Sequence, residues 1–253
     1  IQFTQYDRGL PRRQLHPVAG LSSIVREGEM AAVVGASGSG KSLLAHAVMG
    51  TLPYNCKISG RILYRGEILG PERLARLRGK EIALIPQGVS CLDPLMRVGS
   101  QIRKGRKDPA SREKCRILLE RYGLGAETER LYPFELSGGM ARRVLIAAAL
   151  MGEPRLILAD EPTPGLESST ARRVMGHFRE MASDGAAVLV ITHDLNLALQ
   201  SADRLLVFYD GGIIEDLRPE EFLSENSRKQ AYTEALYQTM PENGFHVWEE
   251  GHL

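Results

Sequence analysis

The stretch GASGSGKSLL, Gly35 to Leu44, decides how this chain folds. Its spacing, G-x-x-x-x-G-K-S, is that of a phosphate-binding loop, in which small residues let successive backbone N–H groups close around a polyphosphate. Before it, Met30 to Val34 is a short apolar run of the kind that forms a buried parallel strand; after it, Leu43, Leu44, Ala47 and Val48 recur at helical spacing. In the order strand, loop, helix, the helix N-terminus adds its partial positive charge to the loop, Lys41 reaches the outer phosphates, and the Ser42 hydroxyl is placed to ligate Mg²⁺. Gly35, Ala36, Ser37, Gly38, Ser39, Gly40, Lys41, Ser42 and Leu43 are therefore the predicted cradle for a nucleoside triphosphate. A glycine-rich turn that binds nothing is the plainer alternative.

The 253 residues suffice for a sizeable core, and 32 Lys+Arg against 31 Asp+Glu leave a net charge of +1. A nucleic-acid partner gains no support from that balance, whose basic clusters are short, such as RKGRK at Arg103 to Lys107. Cys56, Cys91 and Cys115 have neither disulfide-framework nor zinc spacing, which points to a reducing compartment. No apolar run reaches the roughly 18 residues of a membrane span, and the start IQFTQYDRGLPRR has no signal-peptide core. A soluble, cytosolic chain is the expectation.

Outward from the loop, residues 1–34 read as β-rich with turns at DRGLPRR and REGE, and Ile58 to Tyr64 resumes strand character. Ile82 to Ile85 is a further strand, stopped by Pro86-Gln87-Gly88. From about Val89 to Met151 the pattern turns helical: SREKCRILLERYGL places Cys115, Leu118 and Leu119 on one face, and GMARRVLIAAALMG is a second amphipathic segment. Strands return at Leu156 to Ala159, Ala187 to Ile191 and Leu205 to Phe208, with a helix through Ser169 to Ala182. After Pro219 the composition is polar and helical to Met240, then a loose tail follows. The expected fold is α/β, a doubly wound P-loop NTPase (RecA-like) core with an antiparallel β subdomain and an inserted α-helical subdomain.

Three further places carry chemistry. LILADEP ends an apolar strand in two acids, of which Asp160 suits the Mg²⁺ shell and Glu161 suits the base that polarises an attacking water; a helix cap is the plainer role for such a pair. LVITHDL puts His193 just past a buried strand, where open α/β sheets bind ligands, although a lone histidine there is more often structural. LSGGM opens a helix with Ser137 at its N-cap, and Gly138 and Gly139 expose a second set of N–H groups, a second anion site or simply a capped turn.

Taken in order, GASGSGKS, Gln87, LSGGM, LILADE and His193 resemble the five stations of the ATP-binding-cassette (ABC) ATPases, over nearly the whole chain. The resemblance implies one cassette over residues 1–253, with a helical subdomain at about 89–151 and a C-terminal helical tail at about 219–253. It also implies ATP and Mg²⁺ as cofactors, Glu161, His193 and Gln87 as catalytic, and Ser42, Gln87 and Asp160 around the metal. The cassettes of this family work as head-to-tail dimers, so Ser137, Gly138 and Gly139 would meet the γ-phosphate held by a partner. The chain departs from the family at PGLE, Pro164 to Glu167, where S-A-L-D is usual, and in the adenine-stacking aromatic, for which Tyr6 and His16 are the nearest choices.

Met140 in the signature, preceded by YPFE, is similar to the peptide and nickel importer subfamily, as are SCLDPL, Ser90 to Leu95, on the surface that meets a membrane subunit, and QAYTEAL, Gln230 to Leu236. The implied setting is the cytoplasmic face of a membrane, peripherally, with two transmembrane permease subunits, a second cassette and an extracytoplasmic solute-binding protein, and no nucleic acid. The altered PGLE loop favours a heterodimer over a homodimer. With no cysteine after Cys115, no iron–sulfur cluster is expected and the cargo leans to nickel or a metal chelate over peptides. The alternative is a soluble ABC-type ATPase of phosphonate breakdown or DNA repair.

Overall fold

The computed structural model of the chain describes residues 1–7 and 10–240, with side chains throughout except at 5–13. The chain opens with an antiparallel hairpin of β1 (Gln2–Asp7) and β2 (Leu10–Leu15) and then reaches β3 (Met30–Val34). The glycine-rich loop leads into α1 (Ser42–Met49), after which β4 (Cys56–Lys57) pairs with β1. A small hairpin of β5 (Leu63–Tyr64) and β6 (Glu67–Ile68), helix α2 (Pro71–Leu77) and strand β7 (Ile82–Ile85) follow. A helical stretch then holds α3 (Val98–Ile102), α4 (Pro109–Arg121) and α5 (Gly138–Leu150). Beyond it the chain alternates: β8 (Leu156–Asp160), α6 (Ser168–Ser183), β9 (Ala187–Ile191), α7 (Leu195–Ser201), β10 (Arg204–Tyr209) and β11 (Gly212–Leu217), then α8 (Pro219–Leu223) and α9 (Ala231–Gln238).

The main sheet runs β11-β10-β3-β9-β8-β7, parallel except for the β10–β11 pair. All five residues of β3 are buried, because a central parallel strand is covered on both faces. Its side chains alternate: Met30, Ala32 and Val34 join one core with Val144, Ile146 and Phe178, while Ala31 and Val33 join the other with Ala45, Met49 and Leu74. The chain leaves β3 for the distant edge strand β7, so the loop after β3 emerges beside the C-terminal ends of β8 and β9. Open α/β sheets bind ligands at such a switch.

Local chemistry sets the helix ends. Asp108 caps α4 by accepting from the Ser111 N–H, with Pro109 at the first helical position. Gly50 closes α1 in the left-handed conformation (φ 62°), its N–H bonding to Ala47 and His46 carbonyls. Cys115, Leu118 and Leu119 are buried together, as their spacing predicts.

The run Ile58 to Tyr64 is not one strand. Gly60 takes φ 104°, the chain turns, and only Leu63–Tyr64 is extended, pairing with Glu67–Ile68 across Arg65 and Gly66, both at positive φ. Strand β11, which the apolar pattern does not announce, comes from the same device: Asp210 (φ 44°) and Gly211 (φ 79°) form a tight reversal after β10. The segment after Pro219 is two short helices, and the tail beyond Met240 lies outside the described residues. No helix among the described residues is long and apolar enough to cross a membrane.

Candidate functional site

The three glycines of the phosphate loop differ in what constrains them. Gly35 (φ 151°) passes so close to β10 that a Cβ there would lie 2.3 Å from the Phe208 carbonyl oxygen. Gly40 (φ 102°) sits against Pro17, whose carbonyl oxygen would be 3.0 Å from a Cβ; Gly38 (φ 79°) has nothing within 4 Å and needs glycine for its backbone alone. Lys41, only 5% exposed, donates to the Gly35 carbonyl at 2.8 Å and the Ala36 carbonyl at 2.6 Å. Burial draws its ammonium below the ordinary lysine value, against the pull of Glu161 and Asp160. The loop is also tied from the far end of the chain: the Ala36 N–H donates to the Tyr232 hydroxyl on α9 at 2.7 Å.

Strand β8 delivers the two acids. Asp160 is buried and accepts a hydrogen bond from the Ser42 hydroxyl at 2.8 Å, while desolvation raises its carboxyl above the ordinary value. Glu161, 7% exposed, leaves the strand at φ 47°, a left-handed conformation that costs a non-glycine residue about 1–3 kcal/mol and gathers at functional sites. His193 Nδ1 lies 2.9 Å from both oxygens of the Glu161 carboxylate, Oε1 and Oε2. Asp194 caps α7 through the Leu197 N–H at 3.0 Å, fixing the turn that carries His193.

Gln87 stands just beyond β7 with its side chain exposed, hydrogen-bonded to none of the described residues; its carbonyl accepts from Arg142 at 2.5 Å. Arg142 also donates to the Glu161 carbonyl at 2.8 Å. Ser137 caps α5 by accepting from the Met140 N–H at 3.3 Å, and Gly138 has nothing within 4 Å. Gly139 is packed against the PGLE loop, the Gly165 carbonyl oxygen lying 3.2 Å from where its Cβ would be. The structure thus brings Lys41, Ser42, Asp160, Glu161 and His193 together and leaves the Ser137 segment facing outward. Arg142 and Tyr232 hydrogen-bond the backbone beside this candidate site, and the sequence does not single out either one; no spacing marks Arg142, and Tyr232 stands in the QAYTEAL segment. Of the adenine-stacking choices, His16 is exposed next to Pro17, the residue against Gly40, and the Tyr6 side chain lies outside the described residues.

The donor set fits magnesium and a polyphosphate. Ser42 and Asp160 offer hard oxygens, Ser39 Oγ is buried without a hydrogen-bond partner among the described residues, and the loop's backbone bends around the buried Lys41 ammonium.

The family model described as ABC transporter matches residues 18–164, more than half of the chain. This chain belongs to the ABC transporter family. It is 37% identical over 240 residues to the oligopeptide transport ATP-binding protein OppD of Mycobacterium bovis, covering 88% of this chain and 39% of that protein. It is 37% identical to OppD of Lactococcus lactis subsp. cremoris, covering 86% and 68%, and 35% identical to the dipeptide transport ATP-binding protein DppD of Bacillus subtilis, covering 95% and 74%. The chain therefore spans about two fifths of the Mycobacterium relative's length. Among solved structures, the dimeric ABC transporter cassette MJ0796 superposes with TM-score 0.76 at 25% identity, covering 87% of this chain and 96% of that one. A post-hydrolysis dimer of MJ0796 bound to ADP and Pi gives 0.75 at 26% identity, with the same coverage. The ABC cassette fold thus holds for this chain, with the P-loop at the switch of the main sheet and an antiparallel β layer beside it.

Proposed function

We propose that this chain is the ATP-hydrolysing cassette of an importer, coupling closure on ATP to uptake of peptides through membrane subunits. The observation that carries the reading is the grouping of Lys41 in its loop, the Ser42–Asp160 pair and the Glu161–His193 pair at one end of the sheet. Lys41 and the N–H groups from Ser37 to Leu43 hold the outer phosphates. Glu161 takes a proton from water as its oxygen bonds to the γ-phosphorus and the bridging P–O bond breaks, releasing ADP and phosphate. His193 fixes the direction of that carboxylate. Mg²⁺, held by Ser42 and Asp160 with Gln87 nearby, would supply charge neutralisation on the phosphate oxygens. Ser137, Gly138 and Gly139 meet the γ-phosphate of a second cassette, so turnover waits on closure of the pair. In this reading residues 1–253 act as one cassette with a helical lobe at 89–151 and a C-terminal segment from 219.

The partners follow from the same reading: two permease subunits, a solute-binding protein outside the membrane, and a second cassette. The PGLE loop favours an unlike partner, with the chain peripheral on the cytoplasmic face. For cargo, the names of the three relatives support peptides and add nothing to the lean towards nickel or a metal chelate. One surface suits the membrane subunits. Gln101 staples the loop before α3, accepting from the Asp93 N–H and donating to the Asp93 and Met96 carbonyls, and so presents Leu95 at 87% exposure. Arg97 lies over the Tyr132 ring, which stacks on Phe134, itself 75% exposed.

The test is ATP turnover by the purified chain, alone and with permease subunits and a second cassette in vesicles. Turnover should rise on reconstitution, and Leu95→Asp should abolish the rise while sparing the basal rate. A chain that binds no nucleotide ends the proposal, and an active homodimer with its permeases ends the preference for an unlike partner.

A further inference from the structure

Arg142 makes two hydrogen bonds that no part of the phosphate site requires. From the second turn of α5, two residues after Met140, its guanidinium donates to the carbonyl of Glu161 at 2.8 Å and to that of Gln87 at 2.5 Å. These two acceptors belong to different loops, yet stand at one level. The parallel register of β7 and β8 pairs Ile85 with Ala159, and continuing it beyond the last rung sets Gln87 opposite Glu161. Arg142 therefore bridges the two strand ends where the sheet's own ladder stops. A planar fork of donors can hold two carbonyls at once, which a lysine ammonium on a flexible stem does less rigidly.

The Glu161 end of this bridge is the strained one. Its backbone is left-handed and must be held by its surroundings: the N–H donates to the Ile191 carbonyl at 2.9 Å, the carboxylate meets His193, and the carbonyl is held by Arg142. Arg142 is itself half-buried, and burial lowers its pKa while Glu161 and Asp160 pull the other way, so the guanidinium serves both backbone and local charge. Its neighbour Arg143 touches neither strand end: it donates to the carbonyls of Tyr122 and Gly123 at the end of α4 and, one turn back on its own helix, to that of Gly139 at 3.2 Å.

We propose that Arg142 is a positioning residue for ATP hydrolysis, locking Glu161 and Gln87 to the signature helix so that a shift of α5 moves both at once. The inference rests on the ATPase reading above. It explains how a segment facing outward, Ser137 to Gly139, communicates with a carboxylate inside the chain: one turn of rigid helix and one side chain suffice.

The experiment uses the full chain with Arg142→Met, Arg142→Lys and, as control, Arg143→Met. Amide hydrogen exchange is followed in the segments 87–92 and 161–167, and turnover is measured against ATP concentration. Arg142→Met should speed exchange in both segments together and lower kcat by about tenfold or more with KM within about twofold, the signature of an interaction lost from the transition state alone. Arg142→Lys should recover part of both effects, and Arg143→Met should leave both segments protected. Unchanged exchange in either segment, or an unchanged kcat in Arg142→Met, overturns the role; so does a loss that Arg143→Met reproduces. If the wild-type chain binds ATP but does not turn it over, the ATPase reading fails, and the exchange data still decide whether Arg142 joins the two loops.

Discussion

The hydroxyl of Tyr232 accepts a hydrogen bond from the backbone N–H of Ala36, joining residues 196 positions apart. Helix α9 thus reaches back to the first turn of the phosphate loop, with the Tyr232 ring lying 4.2 Å, centroid to centroid, from that of Tyr209 at the end of β10. The ring contact survives in Tyr232→Phe, but the hydrogen bond does not. Because Ala36 is exposed, water can replace the lost partner, and the cost should be about 1 kcal/mol, or about 2–4 °C in Tm for a chain of this size. Thermal melting and a nucleotide titration check this, and a melting point equal to wild type would show that the contact contributes no stability.

Glu161→Gln keeps the size of the side chain and removes its basicity. Turnover should fall by about 100-fold or more, with ATP affinity within about twofold of wild type. Steady-state kinetics beside equilibrium nucleotide binding separate the two quantities. Near-normal turnover would take the base role away from Glu161.

Ser42 and Asp160 form one unit, so losing either should look alike. Ser42→Ala removes the 2.8 Å hydrogen bond that opposes the desolvation of Asp160, so the carboxyl pKa should climb further. The variant should need about tenfold more Mg²⁺ for half-maximal turnover, and chelation should stop wild-type turnover reversibly. A metal-titration curve unchanged by Ser42→Ala would exclude the pair as the metal shell.

His177, carried on α6 and packed against the buried Tyr122, predicts an acid limb of stability. Its Nδ1 hydrogen-bonds the Tyr122 hydroxyl, and desolvation, aided by Arg121 and opposed by Glu180, lowers its pKa from 6.5 to about 4. Between those values the unfolded chain binds more protons than the folded one, so stability falls as pH drops from 6.5 towards 4, by about 3 kcal/mol for this group. His177→Asn should flatten the limb in melts recorded from pH 7 to pH 4. An unchanged slope would assign the acid sensitivity to other groups.

What the sequence discloses and what it hides divides along physical lines. The strands from Met30, Ile82, Leu156 and Ala187 are buried on both faces, so an apolar run suffices to find each one. The places of the phosphate loop, Asp160, Glu161 and His193 are legible because each directly follows or ends one of these apolar runs, whereas a role for His193 comes from the family resemblance and not from its spacing. Strand β11 and the broken run at Ile58 to Tyr64 depend on positive φ at Asp210, Gly211 and Gly60, which apolar periodicity does not register, although the Asp-Gly pair is itself a hairpin signal. Arg142 and Tyr232 escape for a different reason. Each acts on a backbone group far away in sequence, a partner that leaves no trace in local spacing.

The glycines of the phosphate loop count equally in a motif but stand under unequal constraint. A methyl group at Gly35 would have to push apart two strands of the central sheet, so Gly35→Ala should first cost folded protein, seen as low abundance in cells and clearance by proteases before any kinetic defect can be measured. At Gly38, open space on every side makes the same change a matter of backbone preference alone, and a folded, abundant and poorly binding protein is the outcome to expect. Two variants three residues apart would thus appear as the same loss in a cell-based screen of transport while failing at different stages of the protein's life.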